Sequence, residues 1–236
     1  MKVEELTQYG KTLSGIPEEA VKKQEKIVMK EIRNKYGIIG ILPFFARLYL
    51  EQRKLKRKYP EAYQETLKVG ESAAKELPML ISMYNIIARK EGDEKAYEFV
   101  KGIFQKVALY SMPALYQVDD LVNCEGDTFD NFKKYNIAFF SAMNNEGTWK
   151  VKEITEEKDK LTIMVTECAN CVLGKAYDCP DIAKLGCDHD LAGYPEIVDK
   201  VNAEFRRPHT IAKGDEYCDF MFYRKGTAPD TKQPNK

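Results

Sequence analysis

Residues 147–168 read GTWKVKEITEEKDKLTIMVTEC, and this stretch decides the fold class. Upstream of Gly147 the apolar residues recur at helical spacing; from Thr148 onward they alternate. Trp149 and Val151 fall on one side of the first segment, and "EEKD" (156–159) is a polar turn. In the second segment Leu161, Ile163 and Val165 oppose Thr162, Met164, Thr166 and Cys168. Two alternating runs joined by a polar turn make a β-hairpin. Regular alternation places Cys168 on the face opposite the Leu161/Ile163/Val165 set.

Everything before the hairpin reads as helix. Pro17 with Glu18 and Glu19 suits a first turn, with the helix running to about Lys35, before Gly37. Pro43 and Pro60 each suit the start of a further helix, and Leu77-Pro78 is a break. Asp93 can cap a helix that carries Tyr97, Val100, Phe104 and Val107 on one face. A last helix is expected from about Thr128 to Ala142. The most apolar run, YGIIGILPFFARLYL (36–50), is shorter than the roughly 20 residues of a membrane-spanning helix. Followed by Arg53, Lys54, Lys56, Arg57 and Lys58, it reads first as a buried helix with a solvated end, and second as a membrane-surface anchor.

After the hairpin, residues 169–186 are helical or mixed, with Gly186 as a cap, and Pro195 opens a short helix to about Ala203. "FRRPHTIA" (205–212) and "YCDFMFYR" (217–224) form a second hairpin, with Pro208 marking an edge strand. The expected class is α+β: an N-terminal helical half packed with a mainly antiparallel four-stranded sheet plus helices. The expected organisation is a helical region at 1–145, an α+β region at 146–226 in one compact unit with it, and a disordered tail at 227–236.

Lysine plus arginine equals aspartate plus glutamate, 37 to 37. There is no global basic field to argue for nucleic acid. The N-terminus is charged from its second residue and lacks the apolar run of a secretory signal. A cytoplasmic location with reduced thiols is therefore expected.

Five of the six cysteines, Cys168, Cys171, Cys179, Cys187 and Cys218, lie after residue 160. "LGCDHD" (185–190) adds Asp188, His189 and Asp190 beside one of them. It reads as a nucleophile with helpers, as part of a metal site, or as a polar loop after a helix. A thiol needs a cation, a histidine or a helix N-terminus to ionise near neutrality. Asp188 and Asp190 disfavour a thiolate; they suit activation of water or grip on an amino or amidine group. Arg207 and His209 would supply the cation, and on a regular strand they share one face about 7 Å apart. Cys168, Cys171, Cys179 and Cys187 are the alternative ligands of a zinc ion or iron–sulfur cluster, although a second close cysteine pair is lacking. No cofactor is expected on the first reading. The Cys168-x2-Cys171 pair reads weakly as a redox motif, because no helix of a βαβ unit is expected to open there.

Together "TEC" (166–168), "LGCDHD" and "FRRPHTIAKGDEYCDF" (205–220) resemble the L-2-amino-thiazoline-4-carboxylic acid hydrolase family. The matching positions are Cys168, Cys187 and Asp190, then Arg207, Thr210, Gly214, Cys218, Asp219 and Phe220 in the form R-x-x-T-x-x-x-G-x-x-x-C-D-F. The resemblance covers roughly residues 147–224, with the helical half fitting less specifically, and Cys171, Cys179 and His209 stand outside it. It implies hydrolysis of a cyclic amidine-like C–N bond in a small molecule such as an aminothiazoline carboxylate. On that basis Cys187 or Cys168 is the expected nucleophile, Asp190 the base or substrate orienter, and His209 an acid. Arg207, Thr210 and Asp188 would bind substrate, with Cys218 and Asp219 supporting. The expected partner is a small-molecule substrate, with neither nucleic acid nor a membrane span; a binding protein without hydrolase activity is the alternative.

Overall fold

The computed structural model describes residues 1–8 and 16–230. The chain forms α1 (Val3–Gln8), α2 (Glu18–Lys58), α3 (Pro60–Val69), α4 (Glu71–Glu91), α5 (Asp93–Leu115), the single turn α6 (Val118–Leu121) and α7 (Thr128–Asn145). The hairpin β1 (Trp149–Glu157) and β2 (Lys160–Cys168) follows, then α8 (Ala169–Ala176), α9 (Ile182–Gly193), α10 (Pro195–Val198), β3 (Ala203–Arg206) and β4 (Cys218–Arg224). The strands make one antiparallel sheet in the order β1-β2-β4-β3. The fold is α+β, as the switch in spacing at Gly147 predicts.

One sheet face is apolar and closed by α7. Leu161, Ile163, Val165, Phe220 and Phe222 are buried beneath Phe132, Phe139 and Phe140. Phe140 stacks on Trp149 at 4.8 Å and meets Phe220 edge-on at 5.0 Å. Such pairs add about 0.5–1.5 kcal/mol to the burial itself. Asp127 caps α7 by accepting from the Asp130 amide at 2.9 Å, closing an orphan donor of the first turn.

A second core lies among α2, α3, α4 and the first half of α5, and takes Leu173, Tyr177, Cys179, Ile182 and Leu185 from the segment after the hairpin. α5 and α9 cross both cores: Val100 and Ile103 serve the helical one, Ala108 and Met112 the sheet one. Packing therefore does not divide at residue 145. At the α5–α9 crossing Gly193 lies so close to Met112 that a Cβ would overlap its side chain.

Several local expectations are corrected. Pro43 lies inside α2, whose break is instead a kink at Gly37 (φ 69°). Pro78 lies inside α4, where buried Leu77, Ile81, Met83, Tyr84 and Ile87 hold the helix through the breaker. Tertiary burial on this scale offsets the roughly 3 kcal/mol an interior proline costs. The 36–50 run is not a buried helix throughout: Phe44 and Leu48 are buried, whereas Ile38, Ile39, Leu42 and Leu50 are exposed. Among the described residues no helix is long and apolar enough to cross a membrane. β3 ends at Arg206, so Arg207 to Thr210 is irregular and Ile211–Lys213 is a 3-10 turn. Of the expected tail, Thr227 is tied down by its hydroxyl to the Arg224 carbonyl at 2.8 Å, and residues 231–236 lie outside the described residues.

Candidate active site

The apolar sheet face ends in thiols, and a register change puts the first of them there. Val151 pairs with Val165, but Trp149 pairs with Cys168, with register shifts at Lys150/Val151 and Val151/Glu153. Cross-strand partners share a face, so Cys168 joins core-facing Trp149. A bulge re-aims a side chain in this way. The expectation that Cys168 opposes Leu161, Ile163 and Val165 is thus corrected. It assumed unbroken alternation, and the irregularity intervenes.

Cys168 is also the N-cap of α8, with extended backbone (φ −124°, ψ 124°). Its side chain makes no capping hydrogen bond, but the nearby Cys171 thiol and the amides of Cys171 and Asn170 favour its thiolate. Together they outweigh burial and lower the Cys168 thiol from the ordinary 9.0 to about 7. Cys171 moves the other way, its proton held by Cys168 and its thiolate disfavoured by burial. A helix N-terminus and a donor thiol are what a cysteine needs to ionise near neutrality.

"LGCDHD" is not a loop after a helix: all six residues lie inside α9. Gly186 is not a cap but a point of close approach, its missing Cβ facing the Asn170 side chain of α8 at 3.1 Å. That contact brings α9 to the start of α8. Cys187 and Asp190, three residues apart, share a helix face. Arg207 clamps this face, donating from Nη1 to Asp190 Oδ2 at 2.7 Å and from Nη2 to the Cys187 carbonyl at 2.9 Å. Its guanidinium is 1% exposed and lies over the Phe220 and Phe205 rings. A buried cation needs such a partner; removing it leaves a charge costing about 3–5 kcal/mol.

The remaining thiols are more basic. Burial pushes Cys187 up to about 12, with Arg207 opposing and Asp190 reinforcing. Burial pushes Cys218 up to about 11 against the Ile211 amide, which donates to its sulfur at 3.3 Å. Cys168, Cys187, Cys218, Asp190 and Arg207 act on one another electrostatically and form one group.

Other expected site residues lie elsewhere. His209 does not share a strand face with Arg207, because both follow the end of β3. Its Nδ1 and backbone amide engage the two Asp219 carboxylate oxygens at 2.8 and 2.7 Å, and Tyr217 packs on its ring at 4.9 Å. Asp219 follows Cys218 on β4 and points to the sheet's other face. Thr210 is buried and its amide donates to Asp215 Oδ2 at 2.7 Å, shaping the turn. Asp188 accepts a short hydrogen bond from Tyr97 and borders a cavity of about 440 Å³ lined by Tyr97, Lys101, Lys184, Ala212 and Lys213. His189 faces α5, its Nε2 2.9 Å from Ser111 Oγ. Tyr97, the three lysines and the Cys171 donor were missed by the sequence reading. Only Cys171 carried a usable signal, a cysteine three residues after a strand-ending cysteine.

Cys179 belongs to the helical core, where burial raises it to about 11. The four alternative ligands Cys168, Cys171, Cys179 and Cys187 therefore do not converge. Among the described residues no three His, Cys, Asp or Glu side chains are disposed to hold a metal ion.

The arrangement suits attack by sulfur on an electrophilic carbon, with a carboxylate and a fixed cation beside it. A family model described as L-2-amino-thiazoline-4-carboxylic acid hydrolase matches residues 72–222. That span takes in α4 to α7 as well as the sheet, so the helices that position α9 are part of the family's pattern. Neither the curated proteins nor the solved structures compared with the chain gave a match. With the matched segment covering more than half of its length, the chain belongs to the L-2-amino-thiazoline-4-carboxylic acid hydrolase family.

Proposed function

We propose that the protein is a cytoplasmic hydrolase that opens a small cyclic amidine-like C–N bond, such as that of an aminothiazoline carboxylate. The observation that carries this reading is Cys168 at the N-cap of α8, its thiol lowered to about 7 beside Asp190 and Arg207. The ring carbon between sulfur and nitrogen is electrophilic. Cys168 sulfur attacks it, the ring C–N bond breaks, and the nitrogen leaves with a proton. Water activated by Asp190 then releases the enzyme thiol and places its oxygen on that carbon. Cys187 is the weaker nucleophile, because its thiol stays protonated near neutrality.

The substrate carboxylate is assigned to Lys101, Lys184 and Lys213 around the cavity, two of which hold surface ion pairs, to Glu98 and Asp181, rather than to Arg207, which is buried on Asp190 and the Cys187 carbonyl. Two of its lining residues are sequence neighbours of the thiol group: Asp188 follows Cys187, and Ala212 follows the Ile211 whose amide donates to Cys218. The cytoplasmic placement is supported by six free cysteines.

The test is hydrolysis of L-2-amino-thiazoline-4-carboxylate by wild type, Cys168→Ser, Cys187→Ser and Asp190→Asn. Cys168→Ser should lose turnover and Cys187→Ser should keep most of it. Full activity in Cys168→Ser would overturn the assignment, and an inactive wild type would overturn the substrate class.

A further inference from the structure

The sequence alone gives little reason to read Cys168-x2-Cys171 as a redox pair, because the segment that follows reads only as helical or mixed and no βαβ unit is expected. In the structure a helix opens there, after an antiparallel strand. Cys168 is the N-cap of α8 and Cys171 is its third residue. This is the spacing of a capping box, in which the third side chain turns back to the cap. Both thiols are free, Cys168 half-buried and Cys171 buried. The cap and the third residue of its helix are near enough for their thiols to interact; a disulfide needs Cβ atoms about 3.5–4.5 Å apart. The closure falls on a cap residue with extended backbone, which can turn without breaking α8. Cys187 and Cys218, the other thiols of the group, stand on separate elements, α9 and β4, whereas Cys168 and Cys171 share the start of one helix.

We propose that Cys168 and Cys171 form a reversible disulfide, a two-electron switch in which Cys168 is oxidised by a hydroperoxide and Cys171 resolves it. Cys168 thiolate attacks the outer oxygen of ROOH: an S–O bond forms, the O–O bond breaks, and ROH leaves with a proton. Cys168 is then a sulfenic acid. Cys171 sulfur attacks it, the S–S bond forms, and the hydroxyl departs as water with the Cys171 proton. The dithiol and ROOH thus become the disulfide, ROH and H2O. A small dithiol reverses the step by exchange through a mixed disulfide. The roles follow residue exposure, Cys168 being half-buried and Cys171 buried. The disulfide stands apart from the hydrolase reading; only its effect on turnover rests on that reading.

The experiment treats reduced full-length protein with one equivalent of hydrogen peroxide, then alkylates, weighs and peptide-maps it, with and without later dithiothreitol. The expected result is two fewer alkyl groups than on the reduced control, a single Cys168–Cys171 link two mass units lighter than the unalkylated dithiol, and full return on reduction. Cys171→Ser, which keeps a small polar side chain, should instead leave Cys168 as a sulfenic acid trapped by dimedone. A link from Cys168 to Cys187 or Cys218, or peroxide consumed without any disulfide, overturns the proposal whatever the activity. If the Cys168–Cys171 link forms and hydrolysis proceeds undiminished, the switch chemistry stands and the nucleophile assignment falls. If the link forms and turnover drops at least tenfold, returning with dithiothreitol, both hold.

Discussion

The two ends of the hairpin each bury a cation, and they use it differently. At the turn end Lys133 is 4% exposed and donates to the carbonyls of Glu157 and Lys158 at 2.8 and 3.1 Å, with Asp130 and Glu156 at 3.3 and 3.2 Å. Arg224 beside it grips Asp127, Asp130 and Asp159. Those carboxylates are partly exposed, and the network holds α7 to the hairpin turn. At the other end Arg207 has the Asp190 carboxylate and the Cys187 carbonyl, and shares its surroundings with thiols. One cation is satisfied by backbone and spare carboxylates, which is architecture. On the proposed function, the other holds the reacting groups in place.

The sharpest way to break this contrast is to substitute at both ends and compare turnover with stability. Cys168→Ser should lower kcat/KM on the order of 10^4-fold, as loss of a nucleophile does, with its melting temperature nearly unchanged. Asp190→Asn should cost at least about 100-fold in kcat. It should also destabilise by about 3–5 kcal/mol in denaturant titration, because Arg207 loses its carboxylate while staying buried. A stable Asp190→Asn variant would show that Arg207 is held some other way. Lys133→Met should do the reverse, costing about 1–3 kcal/mol of stability with kcat/KM unchanged. Falling activity in a folded Lys133→Met would erase the distinction between the two ends.

The pH profile sharpens the same point. In the proposed mechanism a thiolate attacks, and the Cys168 thiol is lowered to about 7. The rate kcat/KM should therefore fall about tenfold per pH unit below 7 and level off above it. A rise that continued towards pH 9 would indicate an unperturbed thiol, and one continuing further would point to Cys187. The smallest effect is expected in packing: Gly193→Ala should cost about 1–3 kcal/mol, since its Cβ would displace Met112 at the α5–α9 crossing.

The hairpin at 147–168 and the helices before it were legible because their apolar periods are long and unambiguous. The strand-end residues of the site were not. Alternation points Cys168 away from the core, and only the pairing of Trp149 with Cys168 reveals the irregularity. "LGCDHD" looked like a loop because it is polar, with a glycine where a cap would sit. It is a helix because Leu185 and Asp188, three residues apart on one face, are both buried, the latter against Tyr97 from α5. That partner lies 91 residues away, and no local pattern announces it. Pro208 correctly marked an edge, since β3 is the last strand of the sheet, but the strand stops at Arg206 before reaching it.

The central claim is that Cys168 is the attacking group, and a trapped intermediate tests it most directly. Excess enzyme is mixed with L-2-amino-thiazoline-4-carboxylate at pH 8, quenched in acid within the first turnover, and mapped by peptide mass. A substrate-derived mass is expected on the peptide containing Cys168, absent from Cys168→Ser and accumulating further in Asp190→Asn. The same mass on the peptide containing Cys187, or rapid product formation by Cys168→Ser with no adduct anywhere, would contradict it.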